Sequence, residues 1–161
     1  MTAIVVMGVS GSGKTTIAER LAGRLGWRLL EGDRFHPPAN VAKMAAGTPL
    51  TDDDRWPWLR AIADTMGQGG DAVVACSALK RAYRDVLRAG QADVRFVHLR
   101  GGRSVIAARM AARHDHFMPP ALLDSQLATL EEPAADERAI VVDVDGTPEA
   151  IVERVLEELR A

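Results

Sequence analysis

Gly8-Val9-Ser10-Gly11-Ser12-Gly13-Lys14-Thr15 fits G-x-x-x-x-G-K-[ST], the P-loop, at every position. Ahead of it, Ala3-Ile4-Val5-Val6-Met7 is a short apolar run rich in β-branched residues and reads as a buried strand. Behind it, Thr16 to Leu25 places apolar residues at helical spacing, and Gly26 follows as a C′ glycine. The motif therefore has the strand–loop–helix setting that its chemistry requires. Glycines let backbone N–H groups turn in around phosphate oxygens, and the helix N-terminus adds the positive end of its dipole. The predicted nucleotide contacts are Gly8, Ser10, Gly11, Ser12, Gly13, Lys14, Thr15 and Thr16. Lys14 is expected to reach the β- and γ-phosphates, and the Thr15 hydroxyl to ligate Mg²⁺.

Bulk properties narrow the remaining classes. A chain of 161 residues is of single-domain size and long enough for a real core. Hydrophobic residues at 47% and charged ones at 26% are ordinary for a globular protein. A net charge of −2 offers no basic surplus to neutralise nucleic-acid phosphates. The one cysteine, Cys76, excludes an internal disulfide and suits a reducing cytosol. The N-terminus enters a strand without a charged n-region, which argues against a signal peptide, and no apolar run approaches the ~20 residues of a membrane span. The expectation is a cytoplasmic protein without membrane or nucleic-acid partners.

Downstream, strands and helices alternate. Trp27 to Glu31 reads as a second strand, and Asp33 follows it in the crevice where open α/β sheets bind ligands. Asp33 is the candidate functional acid and the better magnesium-side acid, with His36 close behind it. A short helix from Asn40 to Ala46 carries Lys43. Thr51 then fits an N-cap with Asp54 three residues on, so the acids Asp52 to Asp54 read as capping rather than as a metal site; that helix carries Arg55 and runs to about Met66. Asp71 to Cys76 is a third strand. It ends at Ser77, and Ala78-Leu79-Lys80-Arg81 opens the next helix, to about Ala89; hydroxyl, lysine and arginine at a strand end resemble an anion-binding corner. Cys76 itself reads as a small buried hydrophobe.

Val94 to Leu99 is the fourth strand, with His98 structural. Arg103 to Arg113 is a helix in which Arg109 and Arg113 share a face. His114 to Pro120 interrupts it before a second helix, Ala121 to Leu130, and the pair reads as a lid closing over phosphates. Arg138 to Val144 is the last strand; Thr147 then caps a helix with Pro148 at N1. Val142-Asp143-Val144-Asp145-Gly146 superficially resembles a Walker B motif, but lies at the far end of the chain beside a tight turn.

The whole pattern resembles small-molecule kinases related to shikimate kinase and the nucleoside monophosphate kinases, and within them a gluconokinase of the small P-loop type. The matching segments are Met7 to Lys14, Glu31 to Pro37, Leu50 to Leu59, Cys76 to Arg81 and His116 to Pro119, spread over nearly the whole chain. The resemblance implies an α/β P-loop kinase fold over residues 1–161, a five-stranded parallel sheet flanked by helices, with a lid at about 109–130. It implies transfer of phosphate from ATP to the terminal hydroxyl of D-gluconate, giving 6-phospho-D-gluconate, and it suggests a homodimer. On it, Asp33 serves as base or orienter and Arg55 offers a fork to the carboxylate. His36, Lys43, Ser77, Lys80 and Arg81 serve the remaining oxygens. Arg109 stacks on adenine with Gly146, Thr147 and Pro148 supporting the other face, and Arg113 reaches the phosphates. The alternatives are a shikimate or nucleoside monophosphate kinase of the same fold, or a nucleotide switch. The last lacks an Asn-Lys-x-Asp guanine signature here.

Overall fold

Every other element is placed by β1 (Thr2–Met7). Ala3 to Met7 are each at most 1% exposed, so the strand is covered on both faces, which is why its sequence does not alternate. Ala3, Val5 and Met7 enter one core with Trp58, Leu59, Ile62, Tyr83 and Leu87. Ile4 and Val6 enter a second with Ile17, Leu21, Val152 and Val155. Burying aliphatic side chains of this kind stabilises by roughly 1.5–3 kcal/mol each.

The computed structural model describes residues 1–90, 92–111 and 120–160. After β1 come α1 (Lys14–Leu25), β2 (Arg28–Glu31), α2 (Pro38–Ala45), α3 (Asp52–Met66), β3 (Ala72–Ala75) and α4 (Arg81–Arg88). Then follow β4 (Asp93–Arg100), α5 (Arg103–Ala111), α6 (Pro120–Thr129), β5 (Ile140–Asp143) and α7 (Pro148–Arg160). The strands form one five-stranded sheet in the order β2-β3-β1-β4-β5, and every pairing is parallel. All strand C-terminal ends thus emerge at one edge, and the chain leaves β1 toward β2 on one side while β4 and β5 lie on the other. The cleft outside that switch point is where open α/β sheets bind ligands. This is the five-stranded parallel sheet flanked by helices that the sequence predicts.

Local chemistry sets the boundaries. Thr51 Oγ1 accepts from the Asp54 N–H at 3.1 Å while Asp54 Oδ2 accepts from the Thr51 N–H at 2.8 Å, the reciprocal capping box expected. The Ala150 N–H donates to Thr147 Oγ1 at 3.1 Å, so Thr147 caps α7. Two starts differ from the sequence reading. α2 begins at Pro38 rather than Asn40, because a proline's fixed φ suits the first turn. α4 begins at Arg81 rather than just after Ser77, because Ala78 takes a left-handed φ of 46° that no helix accommodates. Cys76 and His98 are buried structural residues as expected, and burial pushes the Cys76 thiol up to about 12, leaving it unreactive.

One buried ion pair holds the β3–α4 corner in that strained shape. Arg84, with a side chain 0% exposed, donates through Nε to Glu137 Oε1 at 2.7 Å and through Nη2 to Oε2 at 3.1 Å. Its Nη1 donates to the carbonyl of Ala78 at 2.8 Å. Arg88 Nη2 and the Ala134 N–H also donate to Glu137, at 2.6 and 2.9 Å. Burial alone would raise the Glu137 pKa, but Arg84, Arg88 and the Ala134 N–H overcome it and hold it at about 2. A depressed carboxylate pKa stabilises fully above its unfolded value, and that contribution is lost as pH falls toward 2. Glu137→Gln should therefore destabilise by about 3–5 kcal/mol near pH 7, as expected for a buried pair stripped of one partner. The gap to the parent chain should shrink below pH 4 in a denaturation series; a gap that does not change with pH would refute this account.

Candidate active site

The P-loop turns at the C-terminal end of β1, and its shape rests on backbone angles a side chain would resist. Gly13 is the N-cap of α1 with φ 94°, leaving the first turn of that helix, where Lys14, Thr15 and Thr16 stand, without a side-chain cap. A Cβ on Gly13 would lie 3.8 Å from Arg109 Nη1, so the arginine of α5 sits over the loop. Arg109 Nη2 donates to the carbonyl of Val144, just past β5. The P-loop, Arg109 and the turn leading to Gly146, Thr147 and Pro148 thus share one side of the cleft. Ser12 is 1% exposed, and its Oγ has no hydrogen-bond partner among the described residues. An orphaned hydroxyl inside a cradle of uncapped amides and cations fits an anionic phosphate chain.

Lys14 Nζ donates to the Val9 carbonyl at 3.1 Å, and Thr15 Oγ1 donates to Glu31 Oε2 at 3.0 Å. The sequence assigns Asp33 to the metal side; the carboxylate that meets the Thr15 hydroxyl is that of Glu31, the last residue of β2, and Asp33 follows two residues on. Burial first, and then the repulsion of Asp33, raise the Glu31 pKa against the pull of Thr15 and Lys14. Two carboxylates close enough to repel one another, next to a hydroxyl, fit a hard divalent cation with oxygen ligands. Among the described residues no cluster of three or more His, Cys, Asp or Glu side chains could cage a metal unaided. Mg²⁺ shared with substrate phosphates needs no such cage.

Beside the loop lies a cavity of about 100 Å³, small against the ~300–1,000 Å³ of common ligand sites. Its wall includes Ser10 and Lys14 from the P-loop, Asp33 and His36 after β2, Arg55 and Trp58 from α3, Ser77 after β3, and Ser125 and Gln126 from α6. Gly32 makes the approach of Asp33 possible: a Cβ there would fall 2.3 Å from the Ala75 carbonyl. Trp58 Nε1 donates to the Gly32 carbonyl at 2.8 Å, and the Trp58 ring stacks on His36 at 4.1 Å and 15°. Asn40 Nδ2 donates to the Asp54 carbonyl at 2.8 Å and faces His36 Nδ1 at 3.2 Å. Nδ1 is therefore an acceptor, and the ring proton sits on Nε2.

Arg55 is held by residues that the sequence reading missed. Its Nη1 donates to the Tyr83 hydroxyl at 2.6 Å, and the Tyr83 hydroxyl donates in turn to Asp52 Oδ1. Burial and the Asp52 contact push the Tyr83 pKa up to about 12, so the phenol stays protonated. Lys80 Nζ lies 3.2 Å from Asp52 Oδ1 and Lys43 Nζ 2.7 Å from Asp54 Oδ2. Both lysines were expected on substrate oxygens; they anchor the acids at the α3 N-terminus and do not line the cavity. Arg81 is a clearer correction. As the first residue of α4 it points outward, and its guanidinium pairs with Asp136 on the surface. Asp143 pairs with Arg100 at 3.2 Å, 61% exposed, which removes the Walker B reading. Arg113 lies outside the described residues, as does the His114 to Pro119 part of the expected lid. Tyr83 and Gln126 left no motif in the sequence; Glu31 and Trp58 stand within matching segments and Asn40 within a helix, without a role.

Comparison with known proteins agrees with this geometry. Residues 4–133 match the model of a family described as AAA domain, and the chain belongs to that class of P-loop nucleotide-binding proteins. Its fold is also that of a shikimate kinase from Bacteroides thetaiotaomicron, with a TM-score of 0.71 at 18% identity over 99% of both chains. Closer likeness narrows the class. The chain is 49% identical to a gluconokinase of Gluconobacter oxydans over 98% of its own length and 91% of the relative's. It superposes on a gluconokinase from Sinorhizobium meliloti with a TM-score of 0.92, at 50% identity over 99% of this chain and 91% of that one. The chain belongs to the gluconokinase family, and it is a kinase.

Protonation of His36 would set an N–H on Nδ1 against the Asn40 amide. Burial first, and then Arg55, lower its pKa below the ordinary 6.5 despite the opposing pull of Asp33. The folded chain thus binds this proton less well than the unfolded one, and stability should fall as pH drops below 6.5. The melting temperature of the parent chain should decline more steeply between pH 7 and pH 5 than that of His36→Gln; parallel declines would refute the assignment.

Proposed function

We propose that the protein transfers the γ-phosphoryl group of ATP to the terminal hydroxyl of D-gluconate, yielding 6-phospho-D-gluconate and ADP. The observation that carries this reading is a cavity whose wall joins the P-loop residues Ser10 and Lys14 to Asp33, His36 and Arg55. A phosphate donor and a small polyhydroxy acid would meet there. The family supplies the acceptor, since the relatives matched over nearly their whole length are gluconokinases.

In this mechanism the hydroxyl oxygen of gluconate attacks the γ-phosphorus in line with the departing ADP oxygen, and the P–O bond to ADP breaks. Asp33 accepts the hydroxyl proton and orients the lone pair. Lys14 and the loop N–H groups of Gly11, Gly13, Lys14 and Thr15 hold the phosphates, and their positive ends face the charge that spreads over the transferring group. Mg²⁺, held by the Thr15 hydroxyl with Glu31 and Asp33, would neutralise the phosphate oxygens. Arg55, braced by Tyr83, presents a planar fork to the gluconate carboxylate, while His36 Nε2–H and the Ser77 hydroxyl reach sugar hydroxyls. Arg109 with Thr147 and Pro148 encloses the adenine, and Arg113 is assigned to the phosphates. The protein acts as one domain in the cytoplasm, and the lid expected at about 109–130 is anchored at its C-terminal end, where Leu123, Leu127 and Leu130 pack on the core.

Asp33→Asn keeps the shape and removes the base. It should lower kcat by roughly 10²–10⁴ with nucleotide affinity retained; near-normal kcat would take Asp33 out of the mechanism. Arg109→Ala should raise the KM for ATP with a smaller effect on kcat at saturating gluconate, and the converse pattern would move Arg109 from adenine to the reacting phosphates. Turnover of shikimate or AMP in preference to gluconate would overturn the acceptor.

A further inference from the structure

Ser10 is the third residue of the P-loop, and a side chain from the other end of the chain already engages it. Its backbone N–H donates to Gln126 Oε1 at 2.7 Å, and Gln126 Nε2 donates to Ser10 Oγ at 3.3 Å. Both residues line the cavity that also holds Lys14, Asp33 and Arg55. Gln126 therefore stands at the seam between the phosphate cradle and the acceptor cavity.

The helix that carries Gln126 is firmly seated. Leu123 is 2% exposed and belongs to the main core, against which Leu127 and Leu130 also pack. The Glu131 N–H, just past α6, donates to the Leu79 carbonyl at 2.7 Å, which ties the end of that segment to the β3–α4 corner. The Gln126 side chain is thus delivered to Ser10 from a fixed platform. Its chemistry suits the place. A primary amide accepts from an N–H and donates to a hydroxyl at the same time, and it does so without negative charge beside phosphates.

We propose that Gln126 is a positioning residue that seals this seam: it fixes the Ser10 corner of the P-loop and keeps water from the face on which the acceptor hydroxyl must stand. A water oxygen admitted there attacks the γ-phosphorus in place of the acceptor; the P–O bond to ADP breaks, and ADP and inorganic phosphate form with release of a proton. Phosphoryl transfer depends almost wholly on positioning and electrostatics, so a small gap at this point changes which nucleophile reacts. The inference goes beyond the proposed acceptor, since it concerns water and ATP, but it rests on the P-loop being a working ATP site.

The test compares the parent chain with Gln126→Ala and Gln126→Glu. Each is incubated with MgATP alone and then with gluconate, while ADP, inorganic phosphate and phosphorylated sugar acid are measured separately. Gln126→Ala should raise acceptor-independent phosphate release on the order of 10-fold and raise the KM for gluconate, because misplacement of about an ångström near the reacting atoms has effects of this size or larger. Gln126→Glu keeps an acceptor for the Ser10 N–H. It should hold phosphate release near the parent level while raising the KM for ATP through its charge. Phosphate release from Gln126→Ala equal to that of the parent, with ADP and phosphorylated acceptor still formed one to one, would overturn the proposal. So would a Gln126→Glu chain that leaks as much as the alanine variant. If gluconate is not phosphorylated by the parent chain, the acceptor reading fails, and the ATP-only comparison still decides the role of Gln126.

Discussion

The structure depends on one strand being surrounded on all sides. β1 has β3 and β4 as neighbours and helices against both faces, so Ala3 to Met7 find no water. Parallel strands require crossovers, crossovers cover the faces with helices, and the C-terminal ends of all strands collect at one edge. The P-loop leaves from the central strand of that edge. Asp33 after β2 and Ser77 after β3 emerge beside it, so the three segments converge although they are far apart in sequence.

The second organising feature is the buried Arg84–Glu137 pair. It spans from α4 to the turn before β5, and Arg84 also holds the carbonyl of Ala78, whose φ is left-handed. That conformation ends β3 sharply and sends Ser77 and Leu79 to the cavity wall instead of into a helix. Strain of this sort costs about 1–3 kcal/mol and persists where surrounding contacts over-determine it. Here the fixation comes from a desolvated ion pair with several hydrogen bonds, an arrangement that is specific more than it is stabilising.

Around the cavity, charge is arranged in pairs that hold one another in place. Asp52 and Asp54 begin as helix-capping residues and end as anchors for Lys80 and Lys43. Tyr83 relays Asp52 to Arg55, so the guanidinium that faces the cavity is braced from behind. A neutral His36, stacked on Trp58, sits opposite. The site thus separates Arg55, which lines the cavity, from Lys43 and Lys80, which pair with the acids of α3.

The sequence alone determined what is written in local patterns: the P-loop between strand and helix, the alternation of elements, the Thr51 capping box, the Thr147 cap and Asp33 at a strand end. Such features depend on neighbours within a few residues, so periodicity and capping chemistry expose them. The tertiary structure decided which charged side chain faces the cavity. Lys43, Lys80 and Arg81 look alike in sequence to Arg55, yet their directions follow from helix phase and from acids 11, 28 and 55 residues away. Glu31 on Thr15, Tyr83 behind Arg55 and Gln126 on Ser10 likewise join segments 16, 28 and 116 residues apart. No local pattern encodes those pairings, because they arise only when packing the hydrophobic faces against one sheet brings the segments together.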